Sequence, residues 1–251
     1  MDRHSPFSYR CGACGRCCHN QVIALSPAEL LALARASGIA TGVARARYTE
    51  RRGSLLRFRT DGGCAALEGV RCSIHPGRPL ACRIYPLGLE RTPDGDRFIR
   101  LEPAQGSAGR YGVEGIVGDY LTDQGVDELL GMAERYRPLI AAMRDKIETL
   151  VDFDKIEPRE FWRHATAEAL RESNFDANRL IDALFDPDGV GAARASIEAT
   201  IAAHLPILHA MIASATDPAK LAAAAILLAV SLGYSPAEAI RFPTEQQDRL
   251  K

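Results

Sequence analysis

Cysteine is absent beyond residue 82 of this 251-residue chain, and lysine is absent from its first 90 residues. The first ten residues, MDRHSPFSYR, lack the apolar core of a signal peptide. The longest apolar run, Leu221 to Leu232, is too short to span a bilayer. These absences predict a cytoplasmic protein without a membrane span. In that reducing compartment, clustered thiols bind metals or do redox chemistry rather than form a disulfide framework.

Charge is distributed unevenly although the net charge is only −1. Residues 1–90 contain 13 arginines and 6 acidic residues, whereas the rest of the chain contains 18 basic and 26 acidic residues. Either the two parts dock on each other, or the basic part faces an anionic substrate or offsets the charge of a thiolate cluster. Binding to nucleic acid is not expected, because no basic motif is interleaved with aromatic residues.

The seven cysteines form two groups, one compact and one widely spaced. The compact group is Cys11, Cys14, Cys17 and Cys18, and the wider group is Cys64, Cys72 and Cys82. Thiolates are soft ligands that select zinc, iron–sulfur clusters or copper(I). Zinc sites and iron–sulfur clusters usually take four protein ligands. Seven thiols therefore indicate either two sites or one site with extra catalytic or structural thiols.

Other residues near the cysteines are candidates for the same site. His19 or His75 could complete a second site, with capping or surface roles as the alternative. Arg78 and Arg83 could donate hydrogen bonds to sulfur or stabilise thiolates, as residues around metal ligands often do. Cys17 and Cys18 are adjacent, and neighbouring side chains usually diverge. We therefore expect them to serve different sites, or one of them to be a spare or redox thiol.

The pattern of the chain predicts an α+β protein that is mostly α. A small, irregular, cysteine-rich metal-binding part with a few short strands (residues 1–120) precedes an α-helical bundle (residues 121–251). Ser26-Pro27-Ala28-Glu29 predicts a capped helix that ends at Gly38. We expect strands at 21–25, 54–60 and 97–101, a hairpin over 64–72, and helices at 123–136, 138–152, 158–172, 176–185, 190–214, 217–232 and 235–241. Pro206 is expected to kink or break the fifth of these helices, and Leu221–Leu232 to be central and buried.

Glycine recurs at every third position between residues 106 and 118. Collagen requires many more repeats together with proline, so this run does not indicate a triple helix. It is consistent with a flexible connection between the two parts, or with a loop whose backbone approaches a ligand closely.

Two motifs resemble a known family. They are Cys11-x2-Cys14-Gly15-x-Cys17-Cys18 and Cys72-Ser-Ile-His-Pro-Gly-Arg78-Pro79-x-x-Cys82-Arg83-Ile-Tyr85-Pro86. Together they are similar to the CxxCxxCC, or YkgJ-type, cysteine-cluster family, which is described as zinc- or iron-chelating and whose members are often labelled Fe–S oxidoreductases. The resemblance covers residues 7–118 and implies that all seven cysteines are metal ligands. Many members have a further cysteine where Ala104-Gln105-Gly106 stands here, which implies one complete site and one open or mixed site.

Three functions follow from these observations. The first is a metal-binding protein that holds a [4Fe–4S] cluster and has a redox or enzymatic role, with an unknown redox or protein partner. The second is a structural Zn²⁺ module that presents the helical part to a partner. The third, suggested by the similar cysteine domain of flagellin lysine-N-methylases, is a protein lysine methyltransferase-like enzyme. The chain lacks the glycine-rich loop after a strand that a Rossmann-type methyltransferase requires.

Overall fold

The computed structural model describes residues 1–92, 95–170, 178–191 and 196–235. Within these residues the fold is mostly helical, and its short strands lie in the first half of the chain. The prediction of an α+β, mostly α architecture is confirmed.

The helices of the described residues follow one another mainly in the second half of the chain. They are α1 (Pro27–Ala36), α2 (Thr41–Tyr48), α3 (Leu80–Ile84), α4 (Val117–Asp123), α5 (Val126–Glu134), α6 (Pro138–Leu150), α7 (Pro158–Leu170), α8 (Arg179–Leu184), α9 (Ile197–Ser214) and α10 (Pro218–Ser231).

The strands of the described residues pair only as antiparallel, two-stranded ladders. They are β1 (Tyr9–Arg10), β2 (Thr49–Glu50), β3 (Leu55–Leu56), β4 (Leu67–Glu68), β5 (Arg71–Cys72), β6 (Leu87–Thr92), β7 (Gly95–Arg100) and β8 (Arg110–Tyr111). The pairs are β1 with β8, β2 with β3, β4 with β5 and β6 with β7. Because most strands have two residues, the position of the cysteine-bearing segments depends on loop hydrogen bonds and on packing.

Helix α1 begins as its sequence predicts. The Ser26 side chain accepts a hydrogen bond from the Glu29 backbone N–H, and the Glu29 carboxylate accepts one from the Ser26 N–H. This reciprocal pair satisfies two amide groups that a helix start would otherwise leave without partners. After the helix ends, Gly38 adopts a φ of +66°, which favours glycine.

The larger hydrophobic core joins the cysteine-bearing part of the chain to the helices. It contains Leu30 of α1, Cys64 and Leu67 near the second cysteine group, and Tyr136 between α5 and α6. Helix α10 is buried almost all round, as its apolar sequence predicts, and packs on α6 and α7. The division at residue 120 remains a prediction, and this core includes residues from both sides of it.

The smaller core packs the N-terminus on the β6–β7 hairpin and on α3 to α5. Its buried members are Phe7, Tyr9, Ile84, Leu87, Phe98, Val117, Tyr120, Leu121, Val126 and Leu130. The aromatic rings of Phe7 and Tyr120 meet edge to face, with centroids 5.0 Å apart. This core holds β1, which leads directly into the first cysteine group.

Helix α9 is long and apolar enough to cross a membrane by length and composition. Core packing accounts for part of this apolar character, because Ile201, Leu208 and Ile212 are buried against the rest of the protein. The helix continues through Pro206 to Ser214, so of the predicted kink or break the break does not occur. The absence of a membrane span therefore stays a prediction.

Several predicted elements differ from the structure. The strand predicted at 21–25 is only an isolated bridge between Ala24 and Leu55, and the strand predicted at 54–60 is reduced to β3. The helix predicted at 123–136 corresponds to α5, and α4 precedes it as a separate helix that was not predicted. The helix predicted at 235–241 lies outside the described residues, apart from Ser235.

Candidate metal centre

The loop that carries the first cysteine group is fixed at its end to the segment that precedes the second group. The Cys64 N–H donates to the Cys18 carbonyl at 2.8 Å, and the Asn20 N–H donates to the Gly62 carbonyl at 2.9 Å. These antiparallel backbone bonds place the two groups side by side, although more than forty residues separate them in sequence.

Cys17 and Cys18 lie in a single 3₁₀ turn, Arg16–Cys18, that begins after Gly15. Gly15 adopts a φ of +70°, and its carbonyl accepts a hydrogen bond from the Cys18 N–H at 3.0 Å. The Cys18 thiol donates a hydrogen bond to Cys17 Sγ, which lowers the pKa of Cys17 to about 7 and raises that of Cys18. The expectation that these side chains diverge is therefore wrong.

Cys64 and Cys72 flank the β4 strand of a tight hairpin. Strands β4 and β5 pair Leu67 with Cys72, and the turn between them includes Gly69 at a φ of +61°. The Ala66 N–H donates to Cys64 Sγ at 3.4 Å. Burial raises the pKa of both cysteine thiols, which disfavours an unpaired thiolate here. The predicted hairpin over 64–72 is confirmed.

Cys82 lies in α3, and a buried carboxylate holds the start of that helix. Glu29 Oε1 accepts a hydrogen bond from the Leu80 N–H at 2.7 Å, while Oε2 accepts the Ser26 N–H at 2.7 Å. Glu29 thus joins the starts of α1 and α3. Burial raises the pKa of Glu29, and the two amide donors oppose this effect. Burial also raises the pKa of Cys82.

Five of the seven thiols form one neighbourhood, which we call the inner thiol group. Its members are Cys17, Cys18, Cys64, Cys72 and Cys82. They come from the 3₁₀ turn, the β4–β5 region and α3. Negative charge on these sulfurs raises the pKa of their neighbours, because like charges repel. A bound cation would remove that repulsion.

Cys11 and Cys14 form an outer pair that contacts the glycine-rich loop. The Ala108 N–H donates to Cys14 Sγ at 3.3 Å, and this bond is the main reason that the pKa of Cys14 is lowered. The two loops approach closely at Gly12, where an added Cβ would lie 2.6 Å from the Ala108 carbonyl oxygen. The glycine run thus permits a close backbone approach to the cysteine loop.

The two arginines of the R-P-x-x-C-R signature act differently. The positive charge of Arg78 lowers the pKa of Cys17 and of Cys72. Arg83 donates to three backbone carbonyl groups, those of Pro76, Arg78 and Gln124. Arg78 therefore acts on the thiols through its charge, whereas Arg83 ties the turn before α3 to the end of α4.

Both candidate histidines have hydrogen-bond partners within their own segments. His19 Nδ1 lies 3.1 Å from the Gly15 carbonyl oxygen, which accepts a hydrogen bond when Nδ1 carries the proton. His75 Nε2 contacts Arg78, and burial lowers the pKa of His75. Because both histidines have other partners, the potential metal ligands of the inner thiol group are its cysteine sulfurs.

The cysteine sulfurs are suitable ligands for a thiophilic metal, but they are not arranged as a complete metal site. Within residues 1–92, 95–170, 178–191 and 196–235, no three cysteine, histidine, aspartate or glutamate side chains converge closely enough to hold a metal ion. The chemistry fits because sulfur donors cluster and because backbone amides point at Cys11, Cys14 and Cys64. Zinc and iron–sulfur centres both accept such donors.

Sequence reasoning missed two contributors to this region. The capping box marks Glu29 as a helix-start residue, but nothing in the sequence indicates its second bond to Leu80. The glycine run suggests a close approach, but it does not show that Ala108 donates to Cys14. Both contacts join segments more than fifty residues apart, so local sequence patterns do not contain them.

Comparison with known proteins gives one match over the region that carries these cysteines. The model of the CxxCxxCC family, described as a "Putative zinc- or iron-chelating domain", matches residues 10–101. This range includes all seven cysteines as well as Glu29, Arg78 and Arg83. No curated protein and no solved structure matches the chain. Residues 10–101 are therefore similar to the CxxCxxCC domain, whose description supports the binding of zinc or iron in this part of the chain.

Proposed function

We propose that the chain is an iron–sulfur protein that holds a [4Fe–4S] cluster at the inner thiol group and has a redox or enzymatic role. The observation that supports this proposal is that five thiols from three separate segments lie near enough to shift one another's pKa. A cubane cluster usually takes four thiolates, and its size spans sulfur atoms that are too far apart for a single ion.

We assign Cys17, Cys64, Cys72 and Cys82 as the four ligands. Cys18 is the fifth member, and we assign it as a protonated thiol because it donates a hydrogen bond to Cys17 Sγ. Such a donor beside a ligand sulfur tunes a metal site without coordinating the metal. The charge of Arg78 favours thiolates at Cys17 and Cys72, which suits the anionic charge of the centre.

Cys11 and Cys14 remain as an open pair at the glycine-rich loop. Two thiolates are too few for a closed four-ligand site, so this pair would need ligands from a substrate or a partner protein. A bound cluster would supply one-electron transfer, for which a redox protein in the reducing cytosol is the partner we propose. The protein itself positions the sulfurs, donates hydrogen bonds to them and limits their contact with water.

Structural Zn²⁺ is the second candidate, supported by the domain description and by the sulfur donor set. Zinc would contribute stability to the irregular segments around the thiols and would do no redox chemistry. A methyltransferase function has no comparable support. The described strands form only two-stranded antiparallel ladders, which are unlike the parallel sheet of a doubly wound fold.

The test is metal and acid-labile sulfide analysis with an absorption spectrum, on full-length protein purified without oxygen. Iron and sulfide in equal amounts, with broad absorption near 400 nm, are expected for the cluster. Stoichiometric zinc and no colour would contradict the cluster and support the structural module.

The adjacent cysteines provide a matched pair of variants for the ligand assignment. We expect Cys17→Ser to lose most of the bound metal, because it removes a ligand. Cys18→Ser should retain the metal, since the serine hydroxyl can replace the thiol as a hydrogen-bond donor. Equal metal loss in the two variants, or full retention in both, would contradict the assignment.

A further inference from the structure

A cleft of about 540 Å³ lies beside Cys11, between the β1–β8 ladder and α4. It is lined by both strands, by the loop that follows β8 and by one side of α4. Four aromatic residues contribute to the lining: Phe7, Tyr9, Tyr111 and Tyr120. The cleft is separate from the inner thiol group, because none of the five inner cysteines lines it.

The end of the cleft nearest Cys11 is basic. Arg10 and Arg110 lie directly opposite each other in the β1–β8 ladder, and both are exposed. Like charges at directly opposed positions of a ladder destabilise the strand pair. Among the described residues, neither arginine has an ion pair or a hydrogen bond that offsets this repulsion. An anionic ligand group at this end would do so.

The other end of the cleft is acidic. Asp119 and Asp123 are one turn apart on α4, and both line the cleft together with Glu114. Asp119 lies in the first turn of α4, where the helix dipole favours a carboxylate. Asp123 is the last residue of the same helix, where the dipole disfavours a negative charge. A cationic ligand group would stabilise that end.

The two charged ends do not pair with each other directly. Within the described part of the chain, no ion pair joins Arg10 or Arg110 to the carboxylates of α4.

The glycine run supplies a narrow floor between these ends. Gly112 pairs with Ser8 through a 3.0 Å bond from its N–H to the Ser8 carbonyl. A Cβ at Gly112 would lie 2.5 Å from Ser8 Oγ, so a larger residue there would force the two strands apart or displace Ser8. Gly115 also lines the cleft, and its φ of +115° favours glycine. Small residues thus keep the middle of the cleft open.

We propose that this cleft binds a small dipolar molecule, with an anionic group at Arg10 and Arg110 and an ammonium group at Asp119 and Asp123. Its aliphatic part would lie along the floor between the two charged ends, next to the aromatic residues. An ω-amino acid has this arrangement of charges. Its carboxylate would lie close to Cys11, at the edge of the outer cysteine pair. This site does not depend on which metal the inner thiol group binds.

Calorimetric titration of the full-length, metal-loaded protein tests the proposal with probes that differ only in charge. The dipolar probes are ε-aminocaproate and the longer ω-aminocaprylate, and the single-charge probes are caproate and hexylammonium. We expect the better dipolar probe to bind about tenfold more tightly than either single-charge probe. Equal affinities for all four probes, or no binding of any probe at about 10 mM, would overturn the proposal.

Variants then assign the two ends separately. Arg110→Gln should weaken the dipolar probe about tenfold and leave hexylammonium unchanged, and Asp123→Asn should weaken it while leaving caproate unchanged. Arg97→Gln, which changes an exposed arginine on β7 away from the cleft, is the matched control. Circular dichroism verifies folding, and metal content reports on the inner thiol group independently. A loss of affinity in the Arg97→Gln control equal to that in Arg110→Gln would reject the assignment.

Discussion

Glu29 provides a direct test of how the fold positions Cys82. Its side chain is 4% exposed, and its two carboxylate oxygens accept the backbone N–H groups of Ser26 and Leu80, each at 2.7 Å. Glu29→Gln keeps the shape of the side chain but leaves only one acceptor oxygen. One of the two buried amides would then face an NH₂ group, which cannot accept its hydrogen bond.

The magnitude follows from the number of donors that lose their partner. A hydrogen bond to a charged group contributes about 1.5–3 kcal/mol, and a buried donor left unpaired costs about 1–3 kcal/mol. We expect Glu29→Gln to lower the free energy of unfolding by about 2–4 kcal/mol, and Glu29→Ala by more, because it leaves both amides unpaired. The variants should also bind less metal, since α3 carries Cys82.

Urea unfolding followed by circular dichroism measures the first effect, and metal analysis measures the second. Glu90→Gln is the matched control, because Glu90 is exposed on β6. A Glu29→Gln protein with wild-type metal content and a free energy of unfolding within about 0.5 kcal/mol of wild type would refute this account of α3.

Three further substitutions or conditions test the helical part and its contact with the first part of the chain. His204 is buried beside Tyr136, and this burial lowers its pKa to about 4. In the unfolded chain a histidine has a pKa of about 6.5. As the pH falls below that value, the unfolded state takes up a proton that the folded state does not, and the free energy of unfolding decreases. Stability should fall by about 2 kcal/mol between pH 7 and pH 5, and urea titrations of wild type and His204→Gln should show this dependence only in wild type. Gly131→Ala should raise the free energy of unfolding by about 0.5–1 kcal/mol, because Gly131 is an exposed residue within α5 with open space around it. Gly53→Ala should lower it by about 1–3 kcal/mol, since the new Cβ would lie 2.6 Å from Phe185 Cβ and the φ is +108°; thermal melts that show no change would contradict either prediction.

Local signals in the sequence were sufficient for α1, α10 and the β4–β5 hairpin. The capping box around Ser26 and the glycine at 69 each determine a local conformation without help from distant residues. The apolar sequence of α10 indicates burial whatever its neighbours are. These elements could therefore be predicted from the chain alone.

Helices α2 and α3 could not be predicted in the same way. The Ala40 and Pro79 side chains that precede them make no capping hydrogen bond. Helix α3 has only five residues and starts where Glu29 accepts the Leu80 N–H. Such short helices depend on tertiary contacts, because an isolated helix of this length is unstable in water.

The candidate site shows the same limit. Residue type identified the seven thiols, but it did not show which five lie together or that Cys17 and Cys18 share a hydrogen bond. That arrangement depends on the left-handed conformation of Gly15 and on the bond from the Cys64 N–H to the Cys18 carbonyl. The first is a local feature that several sequences permit, and the second joins distant segments.

Removal of the metal should loosen the cysteine loops without unfolding the helices. The 3₁₀ turn Arg16–Cys18 contains no buried residue, whereas Cys64 and Leu67 lie in the same core as α10. Apolar burial therefore stabilises the helices without a metal, unlike a small zinc module whose folding energy comes from the ion. We expect chelation to increase hydrogen exchange around residues 11–18 and 104–109, where the Ala108 N–H bonds to Cys14, and to leave exchange in α6 and α10 unchanged. Loss of the helical circular dichroism signal on chelation would contradict this reasoning, because it would mean that the metal stabilises the shared core.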